Sequence, residues 1–171
     1  AALYTNPLSK GGIVKAKQIH GLEMSFNNVL DADAAWKMVS GFSEQVVVIV
    51  KHTNPCGLSS HPDQAVAYKR ALEGDQVSAY GGIVGFNRRV TVAAAEMMEK
   101  GFYEVVIAPA YEPDALDILR KRKRTRILEC TPSQGPFEDM DIRSVTGGAL
   151  FQTVDSIKED QATWKVVTQC Q

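Results

Sequence analysis

The sequence predicts an α/β protein, a three-layer α/β/α domain with a mixed sheet. Three observations carry that expectation. The unbroken β-branched run Val46-Val47-Val48-Ile49-Val50 ends on Lys51-His52 and then meets Asn54-Pro55-Cys56-Gly57. Such a run, bounded by turn formers, reads as a central strand covered on both faces. On either side of it, short apolar strands alternate with amphipathic helices, the pattern of a sheet with helices packed on it. The length, 171 residues, with 44% apolar and 23% charged side chains, suits one globular domain over residues 1–171 with a real core.

The elements follow in chain order. Asp31 is expected to cap a helix running to about Phe42, with Ala34, Ala35, Met38, Val39 and Phe42 on one face. The strand at 46–51 comes next, with a turn at 54–57. Pro62 and Asp63 open a second helix, with Val66, Ala67, Ala71 and Leu72 facing inward and Gly74 as its stop. Ser78-Ala79-Tyr80-Gly81-Gly82 is a glycine-rich approach to a strand at 83–86. Thr91 caps a helix carrying Ala94, Ala95 and Met98; 105–108 is a short buried strand closed by Pro109. Residues 113–120 read as a helix and 126–128 as a strand. From 130 to 143 the pattern fades into loop, and 145–151 and 164–168 read as terminal strands. Trp36, Met38, Phe42, Met97 and Met98 keep helical spacing and are expected in the core rather than around a cofactor.

Composition excludes several functions. The net charge of −1 offers no general attraction to nucleic acid or to a membrane surface. No apolar run approaches the length of a membrane span. The first seven residues, Ala1 to Pro7, lack both an initiator methionine and the basic-then-apolar pattern of a signal peptide. Three widely spaced cysteines, Cys56, Cys130 and Cys170, argue against a disulfide framework and for a reducing, cytoplasmic setting. The histidines, His20, His52 and His61, stand in no zinc-ligand spacing, so no metal is expected. That also counts against a zinc deaminase, because Pro55-Cys56 has no second cysteine to complete the signature.

The chemistry concentrates at the end of the apolar run. Functional groups in open α/β sheets gather where strands end, which would set Lys51 and His52 together beside a tight loop. An adjacent cation disfavours the charged form of a histidine and suits it to act as a base near neutral pH. The plain alternative is a strand entering solvent through a charged residue. Cys56 is either a nucleophile or a small residue tolerated in a tight loop. Gly81 and Gly82 permit close approach of a ligand to the backbone, and equally mark a bulge or strand entry. Gly147 and Gly148 share that ambiguity. Glu104, just before a strand, faces a cleft on one reading and solvent on the other. The basic run Arg120-Lys121-Arg122-Lys123-Arg124-Thr125-Arg126 has the look of a phosphate patch. It fits better as cations at the negative end of the preceding helix, with the rest solvated.

Several motifs in order resemble one family. They are Ser25-Phe26-Asn27-Asn28 with Asp31 to Trp36, Lys51-His52-Thr53-Asn54-Pro55-Cys56-Gly57, Ser78 to Val84, Phe86-Asn87-Arg88, Glu104 to Pro109, and Trp164 to Thr168. Together they resemble the transformylase part of the bifunctional proteins that combine AICAR formyltransferase with IMP cyclohydrolase. The likeness is collinear over essentially the whole chain and covers the first of two related halves, each with a cytidine-deaminase-like fold; the cyclohydrolase domain has no counterpart here. It implies purine biosynthesis by formyl transfer, with 10-formyltetrahydrofolate as formyl donor and co-substrate and the 5-amino group of the AICAR nucleotide as acceptor. It implies that Lys51 and His52 are catalytic and that His52, Asn54, Gly81 and Glu104 contact substrate. Tyr80 stands where the family commonly has phenylalanine. A homodimer, or pairing with a second-half segment, is the implied assembly. The alternative is a catalytically inactive half-domain serving as a nucleotide-binding or interaction module.

Overall fold

Five consecutive side chains with no solvent exposure, Val46 to Val50, make up all but the last residue of one strand. The computed structural model in which they sit describes residues 1–5, 7–132, 140–155 and 161–167. Its contacts divide the chain into a unit of Ala1–Gly135 and a unit of Pro136–Gln171. The first unit runs β1 (Lys17–His20), α1 (Phe26–Ser40), β2 (Val46–Lys51), β3 (Asn54–Ser60), α2 (Gln64–Gly74), β4 (Gly82–Phe86), α3 (Val92–Met98), β5 (Tyr103–Ala108), α4 (Pro113–Arg120) and β6 (Arg126–Glu129). The strands form one sheet in the order β1-β6-β5-β4-β2-β3. The pairs β4·β5 and β5·β6 are parallel, while β2 is antiparallel to both its neighbours and β1 is antiparallel to β6. The sheet is mixed, as expected.

Period-two alternation divides the apolar side chains between the two faces. Val47 and Ile49 join Val84, Phe86, Val106 and Ile127 in a core closed by α2, α3 and α4. Val46, Val48 and Val50 join Ile83, Val105 and Ile107 in a second core under α1, where Ala32, Ala35, Trp36 and Val39 pack. Helices on both faces of one sheet make the three layers. β2 lies one strand in from the edge, between β4 and β3.

The helix starts at α2, α3 and α4 follow the sequence. Asp63 accepts from the amides of Ala65 and Val66, Thr91 caps α3, and Pro113 opens α4. α1 differs from expectation. It begins five residues before Asp31, capped by Ser25, whose side chain and that of Asn28 complete a reciprocal capping box. Asp31 therefore lies inside the helix with its carboxylate available for another task. Its buried stripe also shifts: Phe42 is past the helix end and 38% exposed, while Trp36 is buried. Glu104 is the second residue of β5 rather than the residue before it.

The larger correction concerns 54–57, expected as a turn. These residues open β3, and the turn is the two-residue link His52-Thr53, closed by the pair Lys51↔Asn54. Pro55 is tolerated because β3 is an edge strand. The register slips between Ile49↔Gly57 and Val50↔Pro55, leaving Cys56 as the extra residue of a bulge. Gly57 has a steric reason: a Cβ there would lie 2.0 Å from the carbonyl oxygen of Ala71, where α2 presses on β3.

The second unit contains an antiparallel hairpin, β7 (Met140–Val145) and β8 (Gly148–Thr153). The strand expected over 145–151 is thus the hairpin's turn and part of its second arm, and 140–143 is strand rather than loop. Residues 164–167 form no strand and follow a 3-10 turn at Gln161–Thr163. Residues 133–139 of the expected loop, and Thr168, lie outside the described residues. Among the described residues no helix is long and apolar enough to cross a membrane.

The close approach of α2 to β3 is testable. Gly57→Ala should lower stability by about 1–3 kcal/mol, the usual cost of forcing volume into a packed site. Gly41→Ala should be neutral or slightly stabilising, because Gly41 has ordinary helical φ and the nearest atom to an added Cβ is 3.6 Å away. Urea unfolding midpoints of the two variants would separate the cases.

Candidate active site

Because β2 runs antiparallel to β4, the carboxyl end of β2 meets the amino end of β4. The amino ends of the parallel strands β5 and β6 lie alongside. This topology draws Lys51-His52, Gly81, Glu104 and Arg126 to one rim of the sheet, the edge formed by strand ends rather than by an outer strand. His52 and Asn54 are exposed there, and Lys51, Gly81 and Glu104 are half-buried.

The turn that carries His52 is conformationally expensive. His52 has φ 53° and Thr53 φ 62°, so both central residues are left-handed. A two-residue hairpin of this kind favours Asn-Gly. Each ordinary L-residue in that conformation costs about 1–2 kcal/mol, and a β-branched threonine is especially unsuited. Hydrogen bonds offset the cost. The backbone amides of His52 and Thr53 donate to the two carboxylate oxygens of Asp31, at 3.1 and 2.8 Å. The carbonyl of His52 accepts from the Thr53 hydroxyl at 2.7 Å and from the side-chain amide of Asn54 at 2.9 Å. Asn54 thus braces the turn from within it.

Lys51 points its ammonium at the carbonyl of Tyr80, 2.9 Å away, joining the end of β2 to the approach of β4. Gly81 follows with φ 75°, a left-handed value that suits glycine, and its amide donates to the carbonyl of Phe102 at 2.8 Å. The rings of Tyr80 and Phe102 lie 5.3 Å apart beside it, and Tyr80 is exposed.

Glu104 is held from two sides. The side-chain amide of Asn28 donates to its Oε2 at 2.6 Å, and a guanidinium nitrogen of Arg126 lies 3.7 Å from the same oxygen. Arg126 is itself fixed by two donations to the carbonyl of Glu23, at 3.1 and 3.0 Å. The rest of the basic run is structural where its partners are described. Lys121 pairs with Glu99 at 2.8 Å, and the guanidinium of Arg122 donates to the Glu99 carbonyl.

Asn28, Asp31 and Arg126 hold the candidate residues in place, and the sequence alone does not mark them for that. Asn28 and Asp31 are three apart, hence neighbours on one helix face. That signal appears only once the helix is known to begin at Phe26. Arg126 was hidden among five other cations.

In both described cysteines burial favours the protonated thiol over the thiolate. Burial raises the Cys56 thiol above its ordinary value, helped by the charge of Asp75 and opposed by Lys51. Burial, with the charge of Asp33, pushes Cys130 up to about 12. Cys170 lies outside the described residues. No group of three or more His, Cys, Asp or Glu side chains converges on a metal position among the described residues. A cavity of about 420 Å³ lies beside the amino end of α1, between Leu3, Ile13, Met24, Phe26, Val29 and Leu30. Its lining is mainly apolar, unlike the sheet edge.

The fold is thus a three-layer α/β/α domain with polar groups gathered at one end of its strands. Comparison with known proteins adds the family. The chain belongs to the AICARFT/IMPCHase bienzyme family, whose family model matches residues 1–171. It is 48% identical over 99% of its length to a bifunctional purine biosynthesis protein of Dictyostelium discoideum, covering 33% of that protein. It is 45% identical over its whole length to the protein of the same description from Listeria welshimeri, covering 34%. It is 46% identical over 98% of its length to that of a Thermoanaerobacter strain, covering 33%. The chain thus spans about a third of the length of these curated relatives.

The raised thiols give stability a pH dependence of defined sign. Folded Cys130 keeps its proton to about 12, whereas the unfolded thiol releases it near 9.0. Its contribution is complete below the unfolded value and is lost as pH rises through that window. The unfolding midpoint should therefore fall above pH 9, and Cys130→Ala should flatten the first part of the fall. Tyr68, Tyr103 and Tyr111, all raised chiefly by burial, act in the same direction at higher pH.

Proposed function

We propose that this chain serves purine biosynthesis, in the cytoplasm, as the first half of the transformylase part of its family. Its reaction is transfer of the formyl group of 10-formyltetrahydrofolate to the 5-amino group of AICAR. Three things support the reading: family membership, the ordered transformylase motifs, and the meeting of Lys51, His52, Gly81 and Glu104 at one sheet edge. The last observation carries most weight, because these residues are spread over more than fifty positions of chain and share no local pattern.

The 5-amino group is a poor nucleophile, since its lone pair is delocalised into the ring and carboxamide. His52 takes its proton as nitrogen attacks the formyl carbon, forming the C–N bond of a tetrahedral intermediate. Lys51, whose ammonium rests on the Tyr80 carbonyl, offsets the negative charge on the formyl oxygen. The intermediate collapses with cleavage of the bond to N10 of the folate, which takes back the proton from the imidazolium. The products are formyl-AICAR and tetrahydrofolate. Gly81 lets the nucleotide approach the backbone, while Asn54 and Glu104 complete the contacts to substrate.

Tetrahydrofolate release at saturating AICAR and 10-formyltetrahydrofolate tests this, with the chain supplemented by a second-half transformylase segment. His52→Ala should lower kcat by about 10²- to 10⁴-fold, the usual contribution of a general base, with an unchanged circular dichroism spectrum. Near-normal turnover by that variant would refute the assignment. Retained AICAR binding without any turnover in the supplemented assembly would favour the inactive nucleotide-binding module.

The chain alone should turn over negligibly in the same assay. Holding amine and formyl carbon in attack geometry accounts for several orders of magnitude of rate. His52 is exposed at the strand ends, and on this reading the wall on the folate side comes from the second-half segment. Turnover matching a full-length relative would show that the chain suffices by itself.

A further inference from the structure

The turn carrying His52 has the backbone of an Asn-Gly hairpin and the sequence His-Thr. Its residue types disfavour that backbone, and the local bonds of Thr53 and Asn54 reach only the His52 carbonyl, leaving the two turn amides to be held from outside. The structure supplies the missing constraint from a distant element. Asp31 sits in the second turn of α1, a helix seated on the sheet by Ala32, Ala35, Trp36 and Val39. Its two oxygens take the two amide protons of the turn, one each. One helical turn earlier, Asn28 grips Glu104 at 2.6 Å. The same rigid face of α1 therefore holds the histidine-bearing turn on β2–β3 and the carboxylate on β5.

We propose that Asp31 is the positioning residue for His52. Its carboxylate locks the strained turn so that the imidazole is presented at a fixed place relative to Glu104. Asp31 need not touch substrate to do this. A charged acceptor suits the task better than a neutral one, because each amide-to-carboxylate bond is about twice as strong as its neutral counterpart. The proposal deepens the formyl-transfer reading, on which its kinetic arm rests.

The test has two arms. In the 171-residue chain itself, amide hydrogen exchange is followed by NMR for wild type, Asp31→Ala and Asp31→Asn. Protection at His52 and Thr53 should fall about tenfold or more in Asp31→Ala, with Val48 in the β2 interior unchanged. Asp31→Asn, which keeps volume and one acceptor, should fall less, and it carries this arm if Asp31→Ala does not fold. In the supplemented assembly, Asp31→Ala should lower kcat about tenfold with the KM for AICAR within about twofold, because orientation rather than binding is lost. Adding Thr53→Gly, which relieves the left-handed threonine, should restore most of that loss. In a His52→Ala background, Asp31→Ala should cost nothing further.

Unchanged exchange at both turn amides would overturn the proposal. So would an Asp31→Ala loss of equal size with and without His52, which would mean a structural role unconnected with the histidine. A wild-type assembly with no turnover would instead refute the formyl-transfer reading, and the exchange arm would still decide whether Asp31 holds the turn.

Discussion

The rest of the architecture depends on the burial of β2 on both faces. Five side chains in succession have no contact with solvent, three facing α1 and two facing the layer of α2, α3 and α4. Fully burying each such aliphatic side chain is worth about 1.5–3 kcal/mol. A polar residue anywhere between Val46 and Val50 would face one core or the other without water. The chain can therefore present polar chemistry on this strand only where the burial ends, at Lys51 and beyond. The same constraint fixes register, since a slip of one residue would exchange the two faces.

The antiparallel setting of β2 decides what its polar end meets. Ligand sites of parallel open sheets lie beyond the carboxyl ends of the strands. Here the carboxyl end of β2 stands beside the amino ends of β4, β5 and β6. The candidate site is consequently assembled from a hairpin turn, a glycine with left-handed backbone and the opening residues of two strands. Its members are fastened by polar contacts rather than by packing: Lys51 to the Tyr80 carbonyl, Glu104 to Asn28 and Arg126, and the His52-Thr53 turn to Asp31. Such contacts at a wet edge are individually modest. The rigidity has to come from the helix and strands that carry them, and α1 is the element common to two of the three fastenings.

Much of the scaffold was readable in the sequence because its causes are local. The valine run, the caps Asp63 and Thr91, Pro113 at a helix start and the stop near Gly74 all act through their own neighbours, and each stands where it was expected. The failures share an opposite character. Asn54-Pro55-Cys56-Gly57 has turn composition, yet it forms a bulged edge strand. What fixes it there is β2 on one side and α2 over Gly57, neither visible in the four residues themselves. Residues 140–153 make a hairpin whose turn falls where the sequence alone reads as strand.

By itself the sequence determined the α/β alternation, the doubly covered strand, and a Lys-His pair at the point where that strand's burial ends, since periodicity and burial are encoded residue by residue. Its motifs also led to the AICARFT/IMPCHase family, to which the match over residues 1–171 shows the chain belongs. Only the tertiary structure decided which residues share the edge with that pair. Asn28, Asp31 and Arg126 lie 20 or more positions from the groups they hold, and strand order and direction bring them there. Only the tertiary structure, too, put two ordinary residues, His52 and Thr53, into left-handed backbone. Local preference opposes that conformation, and the Asp31 carboxylate on a distant helix holds its two amides, beside the bonds that Thr53 and Asn54 make to the His52 carbonyl.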